Sequence, residues 1–184
     1  MDWWISQWNS YSPGSLGPAV VEYDCPGGGA SQYSWGGFDC TAFLERLSGG
    51  VGNGQYVNCS DCATFLSSFA NAVGCDLWQS RMGWGFSLNP LLAIGSNIWQ
   101  TACGWGGFSY HEVAWKDACT ATEEVFDACL QVDGDADPTS PPHTPLLPVN
   151  MVFGVPGDGN YRDRLSPAGA CDAQPGSRTR RTIF

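Results

Sequence analysis

The chain is poor in basic side chains, and lysine is almost absent. Of its 184 residues, 8 are Lys or Arg and 18 are Asp or Glu, which gives a formal net charge of −10 at pH 7. The one basic cluster, Arg178, Arg180 and Arg181, lies near the end of the sequence, where we expect a solvated tail. Because a phosphate-binding face needs clustered Lys and Arg, the composition argues against nucleic acid as a main partner.

Long apolar runs are missing as well. None is long enough to span a bilayer, so we expect a soluble protein with no membrane partner. The opening residues, Met1-Asp2-Trp3-Trp4, lack the basic and apolar regions of a secretory signal. The protein would be cytoplasmic if Met1 is its native start, and extracellular if Met1 is not and its cysteines are paired.

Histidine is scarce and cysteine is abundant. The sequence has 2 histidines and 9 cysteines. The odd number of cysteines fits one free nucleophile beside disulfide pairs, and it fits equally well a set of reduced thiols, since the pairing cannot be deduced from spacing. The length is enough for one domain with a real core. We predict a single domain over 1–184, with 1–54 as an N-terminal extension and 155–184 as a peripheral tail.

One stretch, 58–74, has the pattern of a helix with a cysteine at its start. Asn58 is a good N-cap and Gly74 a good C-terminal stop. Cys59 therefore falls in the first turn, where free backbone N–H groups and the helix dipole favour a thiolate. Small or apolar residues recur at helical spacing and predict one buried face: Cys62, Ala63, Leu66, Phe69, Ala70 and Val73.

Flanking segments predict a second helix and several strands. Residues 39–47 have the pattern of a short helix capped by Asp39 and stopped by glycines. Residues 108–115 and 124–132 are rich in aromatic and β-branched side chains, which is typical of strands. The pattern of residues 149–154 predicts a last strand. Residues 88–94 could form a strand or a helix, and Asn89-Pro90 at their start favours a turn that enters a short helix.

The cysteine helix and the two strand segments carry Cys59, His111 and Asp127 in a triad order. Cys59 would attack a carbonyl, and His111 would take and return the proton. Asp127 would accept a hydrogen bond from the other ring nitrogen and fix the tautomer. If the two segments pair as antiparallel neighbours, His111 and Asp127 lie opposite or diagonal to each other on one face.

These motifs resemble the transglutaminase-like superfamily. The run Cys59-Ser60-Asp61-Cys62-Ala63 with its helix ending in glycine resembles the family's cysteine motif. His111-Glu112-Val113-Ala114-Trp115 resembles its histidine strand, and Val125-Phe126-Asp127 its aspartate strand. The resemblance covers roughly 55–132. Cys62 departs from the usual aromatic residue, and Ala128 stands where the family often has proline.

The resemblance implies a papain-like α+β fold, with the cysteine helix packed on an antiparallel sheet. It implies thiol acyl transfer or hydrolysis at amide bonds of a peptide or protein, as in a transglutaminase, a deamidase or a cysteine peptidase, without a cofactor or a metal. The oxyanion would bind the Cys59 backbone N–H and an upstream side-chain donor, for which Gln55 and Trp35 are candidates.

Other interpretations remain open. The same fold can serve as a binding module without catalysis, and a disulfide-rich interaction protein would have Cys59 bonded. Cys59 and Cys62 have C-x-x-C spacing, but no second such pair supports a zinc site. A thioredoxin-type redox motif would follow a strand in a βαβ unit, and residues 56–57 have only a weak strand pattern. Residues 133–137 imitate the start of a calcium loop without its required glycine and glutamate. Cys62 is the alternative nucleophile, and His143 is expected in an exposed loop.

Overall fold

A computed structural model describes residues 21–147, 151–167 and 171–184. Within them we number three helices and ten strands, together with a short 3₁₀ turn at Ala102–Gly104. The helices are α1 (Cys40–Leu47), α2 (Cys59–Ala72) and α3 (Tyr161–Leu165). The strands are β1 (Glu22–Tyr23), β2 (Tyr56–Val57), β3 (Trp78–Met82), β4 (Phe86–Ser87), β5 (Leu91–Ala93), β6 (Gly107–Phe108), β7 (His111–Trp115), β8 (Val125–Phe126), β9 (Leu130–Val132) and β10 (Ala173–Thr179).

The largest described sheet has four strands in the order β10-β3-β7-β8, and its neighbours are antiparallel. The described residues also form three two-stranded sheets, of which β1-β2 is parallel and β4-β6 and β5-β9 are antiparallel. Helix α2 packs against β7 at the centre of the four-stranded sheet. The chain is therefore a mixed protein of helices and mainly antiparallel sheets, in agreement with the α+β prediction. Among the residues described, no helix is both long and apolar enough to cross a membrane.

Helix α2 begins where its sequence signals predict. The Asn58 side chain accepts a hydrogen bond from the Asp61 backbone N–H, and the Asp61 carboxylate accepts one from the Asn58 N–H, which completes a capping box. The helix ends just before Gly74, whose φ of +88° is a conformation that glycine adopts without strain. Both helix boundaries are thus set by local chemistry.

The buried surface of α2 differs from the predicted single face. Its first two turns are buried all around, while Val73 at the C-terminal end is 79% exposed. The N-terminal turns lie between β7 and a loop at 31–34, so polar side chains are enclosed there with hydrogen-bond partners. Ser67, for example, donates to the Ala63 carbonyl and accepts from Gln79. Periodicity of apolar residues cannot detect a helix that is buried through satisfied polar groups.

Aromatic side chains join α1 to α2. Helix α1 is capped by Asp39, whose carboxylate accepts the Ala42 N–H, as predicted. Phe43 of α1 stacks on Phe65 of α2 with ring centroids 3.6 Å apart, and Tyr33 and Phe38 pack edge-on or tilted around them. Large rings bury much apolar area at small entropic cost. Part of the predicted N-terminal extension therefore belongs to the core, while residues 1–20 lie outside the described residues.

The buried carboxylate of Asp61 holds the loop at 31–34 against α2. It accepts hydrogen bonds from the Ser31 and Ser34 hydroxyls, and from the backbone N–H groups of 32, 33 and 34, at 2.8–3.0 Å. No ion pair of Asp61 is present in the described part of the chain. Donors alone therefore compensate the burial of this charge.

We expect Asp61→Asn to lower the free energy of unfolding by roughly 2 kcal/mol. The side-chain NH₂ of asparagine cannot accept hydrogen bonds, so in this buried site it would face backbone N–H and hydroxyl donors that lose their acceptor. Chemical denaturation followed by tryptophan fluorescence measures this loss. Asp39→Asn is the matched control, since asparagine caps a helix as well as aspartate does. Equal stabilities for the two variants would contradict the structural role of Asp61.

Four predicted segments turn out differently. Residues 91–93 form β5, which pairs with β9, rather than a helix. The segment 124–132 is split into β8 and β9 because Asp127 turns its carboxylate back to the N–H groups of Cys129 and Leu130. Of the predicted strand 149–154, Val152 forms only an isolated bridge to Glu124, and residues 149–150 lie outside the described residues. The segment 155–184, expected as a peripheral tail, contains α3 and the sheet strand β10.

Beyond β10 the chain runs past Phe38, and its last residues are mostly exposed. Thr182 accepts a hydrogen bond from the Phe38 backbone N–H, and Ile183 forms a bridge to Phe38. Arg178 and Arg180 stack on the Trp78 ring, 3.6 Å and 3.8 Å from its centroid. The Arg181 guanidinium reaches Glu112 beneath α2. The expectation of a solvated basic cluster is thus wrong for Arg181, which is half-buried against Glu112, whereas Arg178 and Arg180 stay exposed with one face on the Trp78 ring.

Candidate functional site

Cys59 stands at the N-terminus of α2, directly after strand β2. Its side chain is 5% exposed, and it forms no disulfide. The one disulfide, Cys25–Cys103, leaves the other seven cysteines unbridged. The backbone N–H of Cys59 belongs to the first helical turn, where no intrahelical acceptor exists. A free sulfur and unpaired backbone donors therefore meet at this position.

Strand pairing brings His111 and Asp127 together. Ala114 pairs with Phe126 and Trp115 with Val125, so the predicted antiparallel neighbours are confirmed. This register places His111 and Asp127 diagonally on one face. His111 Nε2 lies 2.8 Å from Asp127 Oδ2, and both side chains are buried. The predicted contact is therefore present in the structure.

Asp127 is fixed by more than the histidine. Its Oδ2 also accepts the Tyr161 hydroxyl at 2.6 Å, and its Oδ1 accepts the N–H groups of Cys129 and Leu130 at 2.8 and 3.0 Å. Burial, followed by the Asp127 charge, raises the pKa of Tyr161 well above its usual value, so this phenol stays a donor. No sequence signal marks Tyr161 as a partner of Asp127, because it lies 34 residues further on in a segment without a motif.

Helix α2, which carries Cys59, packs against strand β7, which carries His111, and the Cys59 side chain is near enough to influence the His111 ring. Burial alone lowers the pKa of His111, but the charge and hydrogen bond of Asp127, followed by the influence of Cys59, overcome it and raise that pKa to about 10. The remaining ring nitrogen, Nδ1, is buried and has no well-aligned partner among the described residues. Loose geometry of this kind is common in catalytic sites without substrate. The surroundings thus favour an imidazolium next to the sulfur.

Cys62, the alternative nucleophile, has surroundings of the opposite kind. Its thiol shares a hydrogen bond with the Cys129 thiol, which lowers the pKa of Cys62, but burial and the Asp61 charge outweigh that bond and raise the pKa. Burial and the same hydrogen bond raise the pKa of Cys129 well above its usual value. Both thiols therefore stay protonated and inert, which leaves Cys59 as the sulfur beside the imidazole.

A buried ion pair supports the other side of the histidine strand. Glu112 accepts hydrogen bonds from Arg181 at 2.6 and 3.1 Å, and from the Ser60 hydroxyl at 2.8 Å. Burial alone would raise the pKa of Glu112, but Arg181 and Ser60 lower it below its usual value. Because Ser60 follows Cys59 and Glu112 follows His111, this network ties the first turn of α2 to β7.

The structure does not bring the two expected oxyanion donors to the site. Trp35 is 85% exposed. Gln55 is exposed as well, and its amide donates to Glu22. Both residues lie in exposed bends, Trp35 before helix α1 and Gln55 before strand β2. Their side chains therefore point away from the buried sulfur of Cys59. The side-chain donor predicted from upstream residues has to be another group.

The remaining motifs form local structure. His143 is half-buried rather than exposed: its Nδ1 lies 2.7 Å from Asp133 Oδ2, and its ring stacks on Trp99. Asp133, Asp135 and Asp137 each accept the backbone N–H two residues later, which is turn chemistry. Over the described ranges, no group of three or more His, Cys, Asp or Glu side chains is arranged to hold a metal ion.

Comparisons of the chain with protein-family models, with curated proteins and with solved structures each found no match. The chemistry of the residues around Cys59 is therefore the basis for assigning a function.

Proposed function

We propose that the protein is a thiol-dependent enzyme that transfers or hydrolyses acyl groups at amide bonds of a peptide or protein. Cys59 is the nucleophile, His111 the general acid and base, and Asp127 the residue that orients His111. The observation that carries the proposal is the buried His111–Asp127 contact at 2.8 Å on a strand against which the helix of Cys59 packs. The resemblance to transglutaminase-like enzymes, and a papain-like packing of α2 on the sheet, belong to the same proposal.

The reaction follows from the positions of the protons. The Cys59 thiolate attacks the amide carbonyl carbon, and the carbonyl oxygen becomes an oxyanion that accepts the Cys59 backbone N–H. The His111 imidazolium gives its proton to the leaving amine as the C–N bond breaks, which leaves a thioester on Cys59. His111 then takes a proton from water or from an amine that attacks the thioester. The acyl product leaves, and the sulfur and imidazolium are restored.

Electrostatics support the division of roles. Asp127 holds Nε2, so Nδ1 is the nitrogen left to exchange a proton with sulfur and substrate. The raised pKa of His111, about 10, favours a charged ring that can act as an acid toward the leaving amine. Tyr161 and two backbone N–H groups keep the carboxylate in place during both steps.

One observation favours a second function. Cys59 is 5% exposed and His111 is fully buried, which would suit a binding module that keeps the triad without using it. The two functions differ in whether a small acyl donor can acylate the sulfur.

We expect p-nitrophenyl acetate to acetylate Cys59 in the native protein and to release p-nitrophenolate. Peptide mass mapping locates the acetyl group, and absorbance gives the rate. Cys59→Ser should abolish the adduct, whereas Cys62→Ser should retain it. If Cys59 stays unmodified while the protein is folded, the enzyme proposal fails and the binding module is favoured.

A further inference from the structure

Tyr23 is a buried hydroxyl next to the site, and the mechanism above does not use it. It lies on β1, which runs parallel to β2, and its register partner is Val57. Asn58 and Cys59 follow directly on the same chain. Tyr23 is 6% exposed. The backbone therefore places Tyr23 alongside the segment that delivers Cys59 to the site.

Contacts of the ring and of the hydroxyl locate the side chain more closely. The Tyr23 ring stacks on Phe108 with centroids 6.2 Å apart, and Phe108 stacks on His111 at 5.7 Å. A Cβ added to Gly29 would lie 3.7 Å from the Tyr23 hydroxyl oxygen. The Gly29 carbonyl in turn accepts the Asn58 side-chain N–H at 2.7 Å. The hydroxyl thus lies near the N-cap of α2 and one ring away from the imidazole.

The protonation state of this phenol suits a donor. Burial raises the pKa of Tyr23 far above its usual value, so the phenol stays neutral at any working pH. The proton is therefore available to an acceptor that arrives with a substrate.

We propose that Tyr23 is a catalytic residue that donates a hydrogen bond to the oxyanion formed when Cys59 attacks a carbonyl. This inference rests on the proposed acyl-transfer function. Tyr23 takes the place expected for Gln55 or Trp35, and it acts together with the Cys59 backbone N–H. A neutral phenol held in a water-poor site stabilises developing negative charge without reorganising.

The test compares two reactions of the same sulfur in Tyr23→Phe. Acetylation by p-nitrophenyl acetate passes through an oxyanion, whereas alkylation by iodoacetamide is a direct displacement that forms none. We expect acetylation of Cys59 to slow by roughly 100-fold, as for the loss of one oxyanion donor, and alkylation to stay within about 2-fold, since the sulfur and imidazole are untouched. Tyr33→Phe is the control, because the Tyr33 hydroxyl bonds to the Gly54 carbonyl instead; both rates should be retained.

Each other outcome is decisive. Equal acetylation of Cys59 in Tyr23→Phe and the wild-type protein overturns the role of Tyr23 and leaves the enzyme proposal standing. An equal loss of acetylation and alkylation in Tyr23→Phe also overturns this role, since it indicates a general disturbance of the site. Alkylation without acetylation in all three proteins overturns the enzyme proposal, and the role of Tyr23 with it.

Discussion

Replacing His111 with glutamine should slow the alkylation of Cys59 at pH 6. In the wild-type protein the His111 ring, whose pKa is raised to about 10, is an imidazolium between pH 6 and 9, and a cation near a cysteine favours its attack on an alkylating reagent. Glutamine supplies no charge, so we expect the iodoacetamide rate of His111→Gln to fall roughly 10-fold at pH 6.

The measurement is the rate of label appearance on the Cys59 peptide across this pH range. His143→Gln is the matched control, because His143 bonds to Asp133 in a separate loop. Near-ultraviolet circular dichroism checks that the buried substitution leaves the fold intact. A folded His111→Gln protein with the wild-type pH profile would show that His111 does not govern the sulfur.

The same cation makes the stability of the fold depend on pH. The folded state holds the His111 proton more tightly than the unfolded state does, since its pKa rises from 6.5 to about 10. This contribution is fully present below pH 6.5 and is lost as the pH rises toward 10. His111→Gln should therefore flatten the fall in stability over that window, which denaturation at pH 6 and pH 10 can detect.

Removing the charge of Arg181 should cost the protein a large part of its stability. In Arg181→Met, Glu112 stays buried with only the Ser60 hydroxyl and the partly exposed Arg81, at 3.6 Å, near its charge. Breaking a buried pair by removing one partner costs about 3–5 kcal/mol. For a domain of this size that loss corresponds to a decrease in Tm of roughly 6–20 °C.

Two companion variants separate charge from packing. Arg180→Met removes a partly exposed partner of Asp76 and should cost less than about 1 kcal/mol. Arg181→Met combined with Glu112→Gln leaves no unpaired charge, so the double variant should melt above Arg181→Met alone. Thermal melts at neutral pH supply all three values. An Arg181→Met protein as stable as Arg180→Met would show that the buried pair contributes nothing.

The local parts of the fold could be predicted from the sequence. Helix α2 begins at the cap Asn58 and ends just before Gly74. Each of these residues acts on backbone only a few positions away, so both ends of the helix can be predicted. The pairing of the His111 and Asp127 strands could be predicted too, since one register brings both polar side chains to one face. The triad's catalytic role stays a prediction.

The contacts that sequence reasoning missed are long-range. Tyr161 reaches Asp127 across 34 residues, and Arg181 reaches Glu112 across 69. Neither belongs to a motif, so no spacing rule connects them. Gln55 and Trp35 were expected at the site because their chemistry suits an oxyanion, but side-chain chemistry alone does not tell a surface turn from the wall of a cavity. Pro90 favoured a helix start, and pairing with β9 instead made the following residues a strand.

The order of the sheet has a consequence for biosynthesis. Strands β3 and β7 are neighbours in the middle, whereas β10, at the edge, is translated long after both of them. A nascent chain therefore contains Cys59, His111 and Asp127 well before it contains the arginine that neutralises Glu112. Until Arg181 arrives, the strand that carries the imidazole has an uncompensated charge in its interior. Completion of the sheet thus falls late in translation, after Cys59, His111 and Asp127 have all been synthesised.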